Sequence, residues 1–433
     1  MALQTNRDIR RITIVGGGTS GYLAAFYLAK RYPKKQFTWI YPEENNPIGV
    51  GESCVPEVSR FFNKIGITSQ DIIAHCSGSL KLGIKFQGFH TDNTTFTFPF
   101  GLGLGPEGKK FNTASIDLMM KTKKISPNIW KYTDTSVHFR ATDILKYMDT
   151  LVGQFDNLKI ERRSVPKTFV EDCKDTYDLL IDSTGFRRSI SFQEDNFKSI
   201  EHIIPNNKAL LFRHPYTNKE KQLLPYTMVT AMEHGWIWQI ALTDHVACGY
   251  VHWDKFDVLD EFQTYLEDLF EKEIDTTNIR SIKMITGRNK VHLKDNVVAI
   301  GLASSFIEPL EATGLFLTTN AIEILCKYID NEICENTYND VINNDVDAIT
   351  DFILAHYKYS DKTNEYWDYF KTVPLDGKSK ISIFPQEAWD FILSAFVSSV
   401  ARPKEALDTD ELFAIGKGTP YIEWFENADN FRR

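Results

Sequence analysis

Residues Ile12 to Leu28 read Ile-Thr-Ile-Val-Gly-Gly-Gly-Thr-Ser-Gly-Tyr-Leu-Ala-Ala-Phe-Tyr-Leu. A short β-branched run breaks into Gly16, Gly18 and Gly21 at G-x-G-x-x-G spacing, and apolar residues then recur at helical spacing. This pattern predicts a strand, a tight turn and the start of a helix. Glycines there let the backbone approach a pyrophosphate, while the orphan N–H groups and dipole of the new helix face its charge. The stretch therefore predicts a dinucleotide site on an α/β sheet.

The rest of the chain must build around that unit. Its 433 residues, 42% hydrophobic and 13% aromatic, suffice for two or three domains with a large core. A formal charge of −9, with no basic block to offset it, argues against nucleic acid or an anionic membrane as partner. No run reaches the ~18 apolar residues of a membrane span, and the polar start does not resemble a signal peptide. A cytoplasmic protein is expected. The six cysteines are scattered without a C-x-x-C pair, so no metal site is expected and the thiols read as free or buried.

Further strands follow. Gln36–Tyr41 reads as the second strand; the acid that commonly ends it and bonds a ribose is replaced by Tyr41, with Glu43 and Glu44 just beyond. Gly49 and Gly51, in Ile-Gly-Val-Gly-Glu-Ser to Ser53, form either a second backbone cradle or a plain loop. Ser79–Phe86 alternates with period two, which puts Lys81 and Lys85 on a wet face. A second literal G-x-G-x-x-G at Gly103, Gly105 and Gly108 is rejected as a phosphate site, because Pro106 removes an N–H; it reads as a loop. Tyr177–Arg188 reads as a buried strand ending in a polar, Gly-containing turn, and Asn296–Gly301 as another buried strand leading to the turn at Ser304–Gly314. Three such strand-to-turn units predict one discontinuous domain over 1–85, 136–200 and 286–330. Aromatic and Thr-rich alternation over 86–135 and 201–285 predicts a mainly antiparallel sheet, and 331–433 reads as helical.

Two groups invite chemistry. Trp236 and Trp238 lie two apart, on one face if the segment is a strand, either as core or as a wall beside a flat ligand. Glu308 and Glu311 flank Pro309 in a buried-looking segment, where an ionised carboxylate needs a cation, an N–H or a ligand. Glu311 also suits the first turn of the helix that follows.

Taken in order, GGGTSG, IGVGES, LKLGIKF, FPFG, VHFRA, LIDSTGFR, GWIWQIAL, GYVH, AIGLASSFIEPLEATG and DFILAHY resemble the flavin-dependent halogenases typified by tryptophan halogenases, over about residues 10 to 360. The combination is more specific than any member of it. The resemblance implies a Rossmann-like FAD-binding domain of the flavin monooxygenase type, with a substrate-side sheet and a helical C-terminal region. It implies that Gly16, Gly18, Thr19, Ser20, Gly21, Tyr41, Gly49, Val50, Gly51, Glu52, Asp182, Gly185, Arg187, Gly301 and Leu302 serve the cofactor.

By the same resemblance, Lys81 and Glu311 are catalytic, Thr313 and Gly314 hold halide, and Trp236 and Trp238 separate flavin from substrate. The implied reaction uses reduced FAD from a separate flavin reductase, oxygen, and chloride, bromide or iodide to make hypohalous acid. Lys81 then delivers halogen to a small aromatic or electron-rich substrate. The chain departs from the family's W-x-W-x-I-P motif at Ala241, which stands in place of proline, and is shorter than the tryptophan halogenases. A flavin aromatic hydroxylase and a non-catalytic FAD-binding protein are the alternatives; substrate identity and self-association stay open.

Overall fold

The computed structural model describes residues 8–44, 52–91, 95–100, 113–132, 136–187, 190–191, 194–375 and 418–427. Gly49, Val50, Gly51, Arg188, the loop Gly101–Gly108 and the apolar stretch at Trp389 lie outside the described residues. The N-terminal unit folds as its sequence dictates. Strand Arg11–Val15 is β-branched and buried beyond Arg11, and it feeds helix Thr19–Arg31, whose Leu23, Ala24, Ala25 and Leu28 are fully enclosed.

Strand Arg11–Val15 is central in a six-stranded sheet ordered Leu293–Lys294, Val297–Ala299, Leu179–Asp182, Arg11–Val15, Gln36–Tyr41, Leu158–Arg162. All pairings are parallel except the edge hairpin Leu293–Lys294 with Val297–Ala299. Ile14 sits between Ile181 and Trp39. Strands from three distant parts of the chain thus end at one carboxyl edge, where such sheets bind ligands.

The second large sheet has seven strands, ordered Arg280–Lys283, Lys208–Pro215, His245–His252, Gly235–Ala241, Thr227–Ala231, Gly83–Gln87, Phe96–Pro99. It is antiparallel apart from Thr227–Ala231 against Gly83–Gln87. Alternation gives its faces different tasks. Leu210, Phe212, Ile237 and Tyr250 pack on Phe262, Leu266 and Phe270 of helix Leu259–Phe270. Each such burial is worth about 2 kcal/mol. Ala209, Leu211, Trp236, Trp238 and Ile240 point the other way, into a cleft.

The expected single strand Ser79–Phe86 is instead two. Ser79–Lys81 joins a small sheet with Ser136–Phe139 and Glu52–Ser53, while Gly83–Gln87 joins the seven-stranded sheet. The chain changes sheets at Leu82, whose N–H bonds the Pro225 carbonyl at 2.7 Å. The wet face predicted for the lysines is corrected accordingly: Lys81 is 0% exposed and Lys85 half-buried.

Helices Thr313–Ile329, Glu335–Lys358 and Glu365–Thr372 follow, and Tyr421–Glu426 returns to the body. There the Tyr421 hydroxyl accepts from the Leu80 N–H at 3.1 Å, bracing the strand that carries Lys81. Among the described residues no helix is long and apolar enough to cross a membrane.

Candidate active site

A cleft of about 560 Å³ runs from the carboxyl edge of the parallel sheet to the inner face of the seven-stranded sheet. Its first wall is the glycine turn. Gly16 has φ +128° and a Cβ there would stand 2.3 Å from the Ser183 carbonyl oxygen; one on Gly21 would stand 2.1 Å from the Gly16 oxygen. These two glycines let strand, turn and helix touch. Gly18 differs: a Cβ there meets nothing within 4 Å, and Gly18, Thr19 and Ser20 border the cleft. Gly18 caps helix Thr19–Arg31 without a side-chain bond; its carbonyl takes the Gly21 and Tyr22 N–H groups, and the Thr19 and Ser20 N–H groups are left to meet an anion. An open backbone cradle beneath an uncapped helix fits a dinucleotide pyrophosphate.

Tyr41 and Glu44 line the next part of the cleft. The Tyr41 hydroxyl is 3.4 Å from Asp149 and its ring lies 5.1 Å from the Arg162 guanidinium. Glu44 is therefore the carboxylate that this strand end presents to the cleft. Glu52, Gly185, Arg187 and Leu302 also border it. Asp182 requires correction: it is fully buried, and its oxygens accept from Thr184 N–H and O–H and from Ser191 N–H and O–H at 2.5–3.0 Å. It is spent shaping the turn. Gly301, at φ +59°, likewise serves packing, since a Cβ would stand 2.1 Å from Ser20 Oγ.

Trp236 and Trp238 both face the cleft from one side of strand Gly235–Ala241. Trp238 has room because its cross-strand partner is Gly249, where a Cβ would approach the indole to 2.4 Å. Gly249 is a residue that sequence reasoning missed.

Lys81 and Glu311 border the same cleft. Lys81 Nζ donates to Ser53 Oγ and to the Cys54 carbonyl, both at 2.8 Å, and lies 5.0 Å from the Phe100 ring centroid. Burial pulls its ammonium down to about 8, against the opposing pull of Glu311 and Cys54. Glu311 sits at φ +64° and Ala312 at φ +55°, two consecutive non-glycine residues in the left-handed region. Such backbone costs about 1–3 kcal/mol per residue and persists only where surroundings enforce it. The turn aims Glu311 inward, where His356 Nε2 meets its Oε1 at 3.1 Å.

Glu308 takes a different role. It accepts from Tyr357 O–H at 2.6 Å and Asn206 Nδ2 at 2.9 Å, and burial pushes it up to about 7. Thr313 opens helix Thr313–Ile329, but its hydroxyl bonds the Glu308 carbonyl at 3.4 Å; Gly314 borders the cleft. All six cysteines are unpaired.

The family model for tryptophan halogenase matches residues 11–158 and 161–414. The chain is 27% identical over 427 residues to 7-chloro-L-tryptophan 6-halogenase KtzR of Kutzneria sp. (strain 744), covering 84% of this chain and 83% of that one. It is 27% identical over 437 residues to tryptophan 7-halogenase RebH of Lentzea aerocolonigenes, covering 87% and 82%. In fold it matches the tryptophan 6-halogenase SttH from Streptomyces toxytricini with a TM-score of 0.78 at 22% identity, over 96% of this chain and 99% of the other. The parallel sheet with its glycine turn has the Rossmann-type architecture of that fold. With the family model spanning both the glycine turn and the Lys81–Glu311 cleft, the chain belongs to the tryptophan halogenase family and is a flavin-dependent halogenase.

Proposed function

We propose that this enzyme oxidises halide with FAD and passes hypohalous acid to Lys81, which directs halogen to a small aromatic substrate beside Glu311. The observation that carries the reading is that Lys81, fully buried, opens onto the cleft that the glycine turn and both tryptophans also line. A lysine that burial brings down to about 8 is held there for chemistry more readily than for solubility.

Gly18, Thr19 and Ser20 would hold the pyrophosphate, with Glu52, Gly185, Arg187 and Leu302 along the rest of the cofactor. Bound there and reduced by a separate flavin reductase, FAD supplies with oxygen the two-electron oxidation of halide. Halide is held at the start of helix Thr313–Ile329, whose cap Ala312 has no side-chain bond, so the N–H groups near Gly314 are free to meet an anion. Trp236 and Trp238 keep the organic substrate from the flavin. Lys81 binds the hypohalous acid, either as an ammonium donating to it or as an amine taking its halogen. Glu311 stabilises positive charge on the substrate ring.

The relatives named for tryptophan support an indole or another electron-rich ring as the acceptor. The test supplies FAD, a flavin reductase, NADH, oxygen, each halide in turn and a panel of indoles and phenols, with mass spectrometry of the products. Halogenated mass shifts that vanish in Lys81→Ala are expected. Oxygenated products independent of halide would replace the reading with a hydroxylase, and no product with any halide would remove it.

A further inference from the structure

Beside Lys81 runs a chain of polar groups, half-buried Ser53 and buried Thr227 on the cleft wall and His138 and Ser79 behind them, that the reaction as proposed leaves unused. Lys81 Nζ donates to Ser53 Oγ at 2.8 Å; Ser53 Oγ is 3.2 Å from Thr227 Oγ1; Thr227 Oγ1 is 2.8 Å from His138 Nε2; His138 Nδ1 is 3.0 Å from Ser79 Oγ; and Ser79 Oγ is 2.5 Å from the Ala241 carbonyl. Ser79, Lys81 and His138 are fully buried and Thr227 is 6% exposed.

The end of the chain fixes the direction of every bond in it. A carbonyl has no proton, so Ser79 donates to Ala241 and must accept from His138 Nδ1–H. Burial, reinforced by the charge of Lys81, holds His138 well below the ordinary imidazole range, so the ring is neutral and Nε2 is an acceptor. Thr227 therefore donates to Nε2, Ser53 donates to Thr227, and Lys81 donates to Ser53. Between Lys81 and His138 every hydrogen points away from Lys81, and beyond His138 the two remaining hydrogens point on toward the Ala241 carbonyl.

We infer that Ser53, Thr227 and His138 form a one-way proton relay that takes a proton from Lys81 when an electrophile reaches its nitrogen. The inference rests on the halogenase reading for its electrophile. In the step, one Nζ–H bond breaks and its proton joins Ser53 Oγ; the Ser53 proton passes to Thr227; the Thr227 proton passes to His138 Nε2. One proton moves from Lys81 to His138, and no electrons change hands. The proton leaves along the Nζ–Ser53 bond, so of the two N–H bonds left on Lys81 one stays on the Cys54 carbonyl, and rotation about Cε–Nζ turns the lone pair from Ser53 toward the cleft. At rest the balance favours charge on Lys81, because Glu311 supports the ammonium while Lys81 itself opposes an imidazolium at His138. The titratable groups bearing on the pair are Glu311 from the turn before helix Thr313–Ile329, Cys54 beside strand Glu52–Ser53, and Glu52, which acts on Cys54.

Thr227→Val cuts the relay with little change of shape, Thr227→Ser preserves it, and His138→Gln keeps an acceptor that cannot be protonated. Halogenation of the best substrate of the panel is followed from pH 6.5 to 9.5 at saturating FAD, with flavin reoxidation recorded in parallel. At pH 7, Thr227→Val and His138→Gln are expected to lose at least tenfold in halogenation with reoxidation within twofold of the parent. They should recover toward it above pH 8, where Lys81 sheds its proton without help; Thr227→Ser follows the parent. Profiles for Thr227→Val and His138→Gln parallel to the parent's would overturn the relay. Should the unaltered enzyme halogenate nothing, the functional reading fails by itself. The relay is then judged by NMR of 15N-histidine protein, with His138→Gln identifying the signal. A neutral His138 ring with its hydrogen on Nδ1 supports it, and a hydrogen on Nε2 overturns it.

Discussion

His356 Nε2 stands 3.1 Å from Glu311 Oε1, with both side chains sealed from solvent. The other ring nitrogen, Nδ1, lies 2.8 Å from the Phe352 carbonyl one turn back on the same helix, so Nδ1 carries a hydrogen. The contact between Nε2 and the carboxyl group then requires one proton shared between them. Helix Glu335–Lys358 in this way holds the strained Glu311 turn from behind. His356→Phe deprives a buried carboxylate of this partner, which costs about 3 kcal/mol. His356→Gln keeps a donor and should lose less. Urea unfolding and halogenation rate are both expected to rank parent, His356→Gln, His356→Phe, and a Phe variant equal to the parent in both would refute the support role.

The buried Lys81 makes stability depend on alkaline pH. Its folded value, about 8, lies below the ordinary lysine value of 10.5. Between those values the unfolded chain binds the extra proton, so stability rises with pH across that window as the cost of burying the charge disappears. The penalty is fully present below about pH 8 and is worth about 3 kcal/mol. Lys81→Met removes it, together with the bonds to Ser53 and Cys54. The stability of Lys81→Met relative to the parent should therefore be greatest at pH 7 and decline steadily to pH 10.5, in urea melts at several pH values. A difference constant with pH would mean that Lys81 titrates as in water.

Gly249 gives Trp238 its seat, which can be tested by filling it. A methyl group at 2.4 Å from the indole must push the ring toward the cleft. Gly249→Ala is expected to cost about 2 kcal/mol by overpacking and to weaken FAD binding by about tenfold, or 1.4 kcal/mol. Gly153→Ala, where a Cβ meets nothing within 4 Å, is the control and should stay within about 0.5 kcal/mol. FAD titration by fluorescence quenching separates the two. Equal affinities would show that Trp238 does not border the bound flavin.

Local patterns were legible where local physics decides them. The strand, turn and helix at Ile12–Leu28 follow from β-branched residues, glycines and helical spacing, all within one short stretch. Period-two alternation failed at Lys81 because it assumes a continuous strand, and the strand breaks where Leu82 turns to Pro225. Asp182 ends a strand in a polar turn, as a ligand-binding acid would, yet its oxygens are consumed by Thr184 and Ser191. His138, Thr227 and His356 carried no signal alone. These partners lie 45 to 174 residues away in sequence, and only the folded chain sets Thr227 between Ser53 and His138.

Gly18 and Gly21 belong to one motif but should fail differently. A methyl group on Gly21 would stand 2.1 Å from the Gly16 oxygen and 2.9 Å from Ser183 Oγ, so Gly21→Ala must separate strand from helix and cost about 2–3 kcal/mol. At Gly18 the backbone, φ −82° and ψ 177°, suits any residue, and a Cβ meets nothing within 4 Å. Gly18→Ala should therefore unfold in urea within about 0.5 kcal/mol of the parent. Its methyl group nonetheless enters the space beside the uncapped helix start, where the pyrophosphate is proposed to lie. FAD affinity should fall at least tenfold, about 1.4 kcal/mol, in a protein of unchanged stability. Normal FAD binding by Gly18→Ala would place the pyrophosphate elsewhere in the cleft, whereas loss of binding together with stability would make Gly18 a packing glycine like Gly21.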